Sequence, residues 1–296
     1  MLDLRRLALL RDLEARGSIA AVSQAVGISS SAISQQLTKL EADVGMRLLE
    51  PVGRSVRLTT VGKELAARAD QLIAILEETE AELESRRSRV QGIVRFAAFS
   101  TFALRYLPEI LRRTALSHPD VVVEFFQLEP SEALDAVAGR RADIAVTDEY
   151  QDIPRRSDAR MTRTHLLRDQ ITVYAPTQVG SIADLVAVPW VFEPAGTDAA
   201  AWAIRVCREA GFEPRIQFES PDLRVHHGLA HAGAAAAFLP QMLFDSPTAA
   251  LPEPLYPLET NPLGLHRDVY AVTRRGTSRR PSLAAFLTHL RHVTAA

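Results

Sequence analysis

Ser30, Ser31, Ser34, Gln35 and Thr38 fall on the outward face of one helical stretch, SSAISQQLTKLE. That face is short, polar and uncharged, where a solvated helix more often carries Glu, Lys or Arg. Short hydroxyls and amides suit close approach to phosphates and base edges, and Gln35 has the donor–acceptor pair that fits an adenine edge. The polar surface of a small helical bundle would use the same residue types. Two arginines follow, Arg54 at the tip of an expected hairpin and Arg57 on its second strand, where a wing would lay them beside a nucleic-acid backbone or in a minor groove. His226, His227 and His231 suggest a metal, and His227 with His231 share a helix face, but apolar helix residues surround them and the sequence places no further ligand. Cys207 is the only cysteine, so neither an intrachain disulfide nor a cysteine zinc site can form within one chain, and its helical setting reads as a small buried hydrophobe. No Gly-rich phosphate loop, nucleophile elbow or zinc motif occurs, and the chain reads as a non-enzyme.

The elements that must hold the polar face are legible in GSIAAVSQAVGISSSAISQQLTKLE (17–41). Ile19, Val22 and Val26 make one apolar stripe. Gly27 supplies a turn free of Cβ strain, Ile28 plugs that turn, and Ser29 caps the next helix. Ile33, Leu37 and Leu40 face a core, and Ser23 is small where the helices cross. This is the arrangement of a helix-turn-helix. MRLLEPVGRSVRLTTVG (46–62) then reads as a hairpin around Val52-Gly53-Arg54-Ser55. Up to residue 60 there are eight basic residues against six acidic ones, which predicts modest non-specific affinity with a clear salt dependence. Leu65, Ala69, Leu72, Leu76, Thr79 and Leu83 then alternate by four and three as a heptad seam, so the long helix over 59–88 either pairs with a second copy or packs on its own domain.

From residue 92 the texture changes. VRFAAF (94–99), VVVEFF (121–126), DIAVT (143–147), ITVYAP (171–176), WVFEP (190–194) and AAAAFLP (234–240) read as buried strands separated by amphipathic stretches, which predicts α/β units with mostly parallel sheets. The Pro-rich segment 252–262 reads as a loop near a domain crossover. With 296 residues, 47% hydrophobic and 24% charged, two or three globular domains are expected, and disorder or a coiled-coil rod is excluded. The net charge of −2 places any nucleic-acid surface locally. No apolar run approaches the ~20 residues of a membrane span, and the N-terminus leads into an amphipathic pattern, not a signal-peptide core. A soluble, cytoplasmic setting with no membrane partner is expected.

With these elements in order, the sequence resembles the LysR-type transcriptional regulators over essentially its whole length, most specifically from LDLRRLALLRDLEARGSIAAVSQAVGISSSAISQQLTKLEADVG to LLEPVGRSVRLTTVG. The resemblance implies an α+β multi-domain architecture. An N-terminal winged helix-turn-helix (1–58) would be joined by a dimerising linker helix (59–90) to a two-lobed α/β effector domain resembling type II periplasmic binding proteins. The first lobe would comprise 92–163 plus 265–296, and the second 164–264. It implies that Ser30, Ser31, Ser34, Gln35 and Gln36 face double-stranded DNA, with Arg54 as the wing arginine. It also implies no resident cofactor, a small-molecule effector between the lobes, dimers through the linker and tetramers through the effector domains. Where many members carry Gln-Pro, this chain has Ser30-Ser31, and Gln35 stands in place of Arg.

In such folds ligands sit at the carboxyl ends of strands and at helix N-termini. Ser100 and Thr101 follow the first strand, Glu129 and Ser131 the second, Thr147 and Asp148 the third, and Glu193, Gly196 and Thr197 the WVFEP strand. Each could line the effector cleft, and for Ser100 and Thr101 simple helix capping is an equal reading. Several are acidic, so a cationic or amine-bearing effector is one candidate class. Two other classes share the elements: a plain ligand-binding protein whose helix-turn-helix serves only assembly, and an enzyme on the two-lobed fold. The Ser/Gln face argues against the first, the missing catalytic motifs against the second.

Overall fold

The structure is a computed structural model describing residues 1–53, 55–86, 89–155, 158, 160–245, 256–258 and 264–295. The N-terminal unit runs α1 (Leu4–Arg16), α2 (Ile19–Val26), α3 (Ser30–Val44), β1 (Leu49–Val52) and β2 (Ser55–Leu58), and α4 (Thr60–Ser85) continues from it. Gly27 ends α2 with φ 72°, and the Ser29 hydroxyl accepts from the Ala32 amide at 3.3 Å to open α3. Ile33, Leu37 and Leu40 are sealed against Leu7, Leu10, Leu13 and Val22, each such side chain contributing roughly 1.5–3 kcal/mol. Ile28 does not plug the turn. It is 42% exposed, and the turn is tied instead by the Ser23 hydroxyl donating to the Ile28 carbonyl at 2.6 Å.

The hairpin pairs antiparallel, Leu49 opposite Leu58. Its seat is fixed from both sides. One Glu41 carboxylate oxygen accepts from the Leu48 and Leu49 amides at 2.8 and 3.0 Å. At Gly62 on α4 a Cβ would stand 2.2 Å from the Leu48 carbonyl oxygen, so only glycine lets the helix pass this close.

The expected heptad seam of α4 is divided. Ala69 packs with Ala66 in the chain's own core, because α1 lies along that face, and Gly62, Ile73 and Ala81 of α4 are buried as well. Leu72, Ile75 and Leu83 remain 46–62% exposed. The helix ends at Ser85, so the end expected near 88 falls partly on residues outside those described.

The C-terminal unit begins with β3 (Gly92–Ala98), α5 (Ser100–Ser117), β4 (Val121–Gln127), α6 (Pro130–Ala138), β5 (Ile144–Tyr150) and β6 (Met161–Ala175). It continues with β7 (Pro189–Phe192), α7 (Asp198–Glu209), β8 (Arg215–Glu219), α8 (Leu223–His231) and β9 (Ala237–Pro240). It closes with α9 (Gln241–Phe244), β10 (Tyr256–Pro257), β11 (His266–Arg274) and α10 (Pro281–Thr294). The first lobe is a sheet ordered β4-β3-β5-β11-β6, with β3 parallel to β4 and β5, and β11 antiparallel to β5 and β6. Phe96, Phe102 and Phe286 fill one face beneath α5 and α10, and alanines of α6 close on the other. In the second lobe β6 pairs β9 and β10, β7 pairs β8, and Trp190, Trp202 and Phe238 form the aromatic centre.

The expected lobe boundary at 163/164 falls inside β6. Residues 161–170 of that strand pair β11 in the first lobe, whereas 171–175 pair β9 and β10 in the second. One strand therefore serves both sheets, and the crossover lies at Gln170–Ile171. The Pro-rich 252–262 lies outside the described residues except for 256–258, where Tyr256–Pro257 form β10.

Candidate functional site

Two surfaces gather the polar residues singled out in the sequence. The first is α3. Ser30, Ser31, Gln35 and Thr38 are exposed along it. Ser34 is half-buried and its hydroxyl donates to the Ser30 carbonyl at 3.0 Å, which leaves its lone pairs outward as acceptors. Gln36 turns toward α1, where its side-chain oxygen accepts from Arg6 Nε at 3.2 Å. Arg54 lies outside the described residues. Arg57 is exposed on β2, its Nε donating to Glu50 at 2.8 Å.

Much of the basic excess of this unit is neutralised by carboxylates of the same chain. Arg6 pairs with Asp43, the buried Arg11 with Asp12, Arg16 with Asp135 and Arg57 with Glu50. Among the described residues of α1 to β2, Arg5, Lys39 and Arg47 stay exposed without an ion pair, as do Lys63 and Arg68 on α4, and these can meet phosphate without first giving up a carboxylate.

The second surface is a cleft of about 370 Å³ between the two lobes. Of the residues expected there, Ser100, Thr101, Glu129, Ser131, Asp148, Glu193, Gly196 and Thr197 line it. Thr147 does not. Successive side chains of a strand point to opposite faces, and Thr147 lines a different cavity behind β5, beside Arg16 and Asp135. Neither Ser100 nor Thr101 caps α5: the cap position is Phe99, which offers no side-chain acceptor, so the first amides of α5 open toward the cleft. The Thr197 hydroxyl does cap, accepting from the Ala200 amide at 3.1 Å.

Two arginines that the sequence reading passed over organise this cleft. Arg267, 2% exposed, donates to Asp169 at 3.0 Å, to Asp148 at 3.1 Å and to the Thr101 hydroxyl at 3.1 Å, with its guanidinium 4.9 Å from the Phe99 ring centre. Burial alone would lower its pKa, but Asp169, Tyr150 and Asp148 together raise it, and it is a fixed cation. Arg155 donates to the Asp148 carbonyl at 2.8 Å and pairs with Asp198 on α7 at 3.0 Å, so it ties the first lobe to the second. The signal for Arg267 was its position in HRDVYAVTR, at the buried parity with Val269 and Ala271.

With both arginines committed, Glu129, Glu132 and Glu193 line the cleft with no side-chain hydrogen bond or ion pair to any other described residue. Burial, with Asp148 beside it, pushes the Glu193 carboxyl up to about 8. Burial and Asp148 also raise Glu129. Burial raises the Tyr150 hydroxyl well above its ordinary value.

Of the three histidines, His226 lines a small cavity beside Trp202 and Phe238. His226 is buried with Nε2 2.7 Å from the Ser220 carbonyl, and His227 and His231 stack at 6.1 Å. Among the described residues no three His, Cys, Asp or Glu side chains converge as a metal site. Cys207 is fully buried, and burial pushes its thiol up to about 12. Among the described residues no helix is long and apolar enough to cross a membrane.

A winged helix-turn-helix carried on a long helix beside a two-lobed α/β unit with a central cleft defines a DNA-binding protein with a ligand-binding module. The chain belongs to the LysR-type family of transcriptional regulators. Residues 4–63 match the bacterial regulatory helix-turn-helix proteins of the lysR family, and residues 87–295 match the LysR substrate binding domain. Similar proteins include the transcriptional dual regulator GltC of Bacillus subtilis, 25% identical over 257 residues and 83% of each chain. The regulator DgdR of Burkholderia cepacia is 26% identical over 290 residues, 96% of this chain and 93% of its own. Among solved structures, a full-length point variant of OxyR from Pseudomonas aeruginosa superposes with a TM-score of 0.65 at 17% identity, covering 100% of this chain and 97% of its own. CbnR, a LysR family regulator solved in complex with its target DNA, superposes with a TM-score of 0.54 at 22% identity over 99% of this chain and 100% of its own. These likenesses concern the fold.

Proposed function

We propose that this chain reads DNA through Ser30, Ser31, Ser34, Gln35 and Thr38, with Arg54 and Arg57 on the wing, and that a small molecule in the inter-lobe cleft sets how it does so. The observation that carries this reading is the hydroxyl-and-amide face of α3, which is held rigidly from beneath by Ile33, Leu37 and Leu40 and bears no carboxylate. Two copies pair along Leu72, Ile75, Leu76, Thr79 and Leu83 of α4, and effector domains join pairs into tetramers that engage neighbouring half-sites. The chain is a cytoplasmic, non-enzymatic regulator without a resident cofactor.

The effector is a small amine-bearing or otherwise cationic molecule. The open amides of α5 offer a place for an anionic group, and the unpaired Glu129 and Glu132 carboxyls offer one for the cation, with the protonated Glu193 carboxyl beside them as a neutral hydrogen-bond donor. The effector shifts the assembly only by its difference in affinity between two lobe arrangements.

Genome-wide pull-down of DNA fragments with purified protein at near-physiological salt tests the regulator reading. A short interrupted palindrome is expected, and diffuse salt-sensitive enrichment alone would count against it. Calorimetry with matched basic and acidic amino acids tests the effector class; equal heats would remove it.

A further inference from the structure

Helix α6 touches both the cleft and the helix-turn-helix. Its first turn, Pro130, Ser131 and Glu132, is a wall of the cleft. Nine residues make it about 13 Å long, and its far end meets the helix-turn-helix. There Arg16, at the end of α1, pairs with Asp135 at 2.5 Å, and just beyond α6 Arg141 Nε donates to the Ala25 carbonyl of α2 at 2.5 Å. At Gly139 a Cβ would stand 2.6 Å from that same carbonyl oxygen, so α2 rests directly on backbone. The next residue, Arg140, is held at φ 62°, a left-handed conformation that a non-glycine residue rarely adopts.

The seam around this seat is loosely filled. One cavity of about 190 Å³ lies between Arg16 and α6, and one of about 300 Å³ lies between α4 and the first lobe. Arg155, which ties the lobes together across the cleft, is also a wall of the first of these. Polar pins in an underpacked seam permit one body to rock on another, where a dense apolar interface would not.

We propose that α6 is a mechanical link inside one chain: its first turn senses what occupies the cleft, and its last turn seats the helix-turn-helix, so that filling the cleft loosens or re-angles the reading head on its own effector lobe. This route runs within a single subunit and needs neither the paired α4 helices nor the tetramer. It also goes beyond the regulator reading, because the seat and its response exist without DNA.

The test is amide hydrogen exchange on the full-length protein without DNA, followed in peptides covering α2. Arg16→Asp and Asp135→Arg should each raise exchange there by about fivefold or more, and the combined swap should restore wild-type protection. Ser131→Trp fills the cleft end of α6 without touching Arg16 or Ala25, and it should raise α2 exchange as well. Glu132→Lys, at an exposed position of the same turn, is the second variant should the tryptophan impair folding. Protection that responds to the seat variants but to neither cleft variant would overturn the link. Protection that responds to none of them, or a swap that fails to restore it, would overturn the seat itself.

Discussion

Arg267 donates from Nε to Asp169 at 3.0 Å while the other Asp169 oxygen accepts the Met242 amide at 2.9 Å, and both side chains are sealed from water. The pair thus clamps β11 to β6 and to the start of α9. Removing one member of a buried ion pair strands the other, so Arg267→Ala should cost about 3–5 kcal/mol. Arg267→Lys should recover only part, because a lysine cannot reach Asp169, Asp148 and Thr101 in one plane. Urea unfolding gives both values, and a loss below about 1 kcal/mol for the alanine variant would contradict this account.

Glu193 sets a pH dependence. Folded, its carboxyl holds its proton until about pH 8; unfolded, it ionises near 4.5. The unfolded state alone therefore gains the charge as pH rises between those values, and the folded state loses relative stability over that window. Glu193→Gln should leave stability at about pH 4 nearly unchanged and raise it by roughly 4 kcal/mol at about pH 8. Thermal unfolding of both proteins across that range is the check. Equal differences at the two ends would mean that folding leaves the ionisation of this carboxyl unchanged.

On α3, Ser34→Glu would set a carboxylate against phosphate and should weaken binding to the selected DNA site by at least about 100-fold, while Gln35→Ala should cost about 1–3 kcal/mol and relax the base preference at one position. Lys39→Ala should weaken all sequences alike and flatten the salt dependence by about one unit of slope. Fluorescence anisotropy at several salt concentrations separates the three. A Ser34→Glu protein that binds normally would move the reading surface elsewhere.

Ile75→Glu with Leu83→Glu places charges on the exposed stripe of α4 and leaves the packed Ala66–Ala69–Ile73 face alone. Sedimentation should show smaller assemblies at micromolar concentration, with circular dichroism unchanged. Persistence of the wild-type assembly would exclude this stripe as the pairing surface.

The helix-turn-helix was legible because its determinants are local. Gly27, Ser29 and the Ile33–Leu37–Leu40 spacing each fix backbone within a turn or two of themselves. The seam of α4 was half legible, since periodicity reveals a stripe but not which neighbour covers it, and α1 claims Ala69. Thr147 and Asp148 both follow the polar turn pattern in sequence, but adjacent strand residues point to opposite faces, and only Asp148 reaches the cleft. Arg267 and Arg155 went unnoticed because their partners, Asp169, Asp148 and Asp198, come together only when β11, β6 and α7 have assembled. The sharing of β6 between lobes was hidden for a similar reason: its opening stretch, MTRTHLLRDQ, alternates weakly and reads as connection until β11 pairs with it.

That shared strand limits how the cleft can open. The Ile171 amide donates to the Leu265 carbonyl at 2.9 Å where the lobes meet, so the outgoing and returning chains are hydrogen-bonded to each other at the crossover. Sliding one lobe past the other would break the ladders on β6, whereas twisting β6 at the Gln170–Ile171 crossover leaves its rungs to β11 and to β9 in place. Sheet ribbons already twist in one handed sense, so torsion is the soft coordinate here and translation the stiff one. A molecule lodged between the lobes would be felt as torque at the crossover, with β6, anchored in both sheets, as the torsion spring between them.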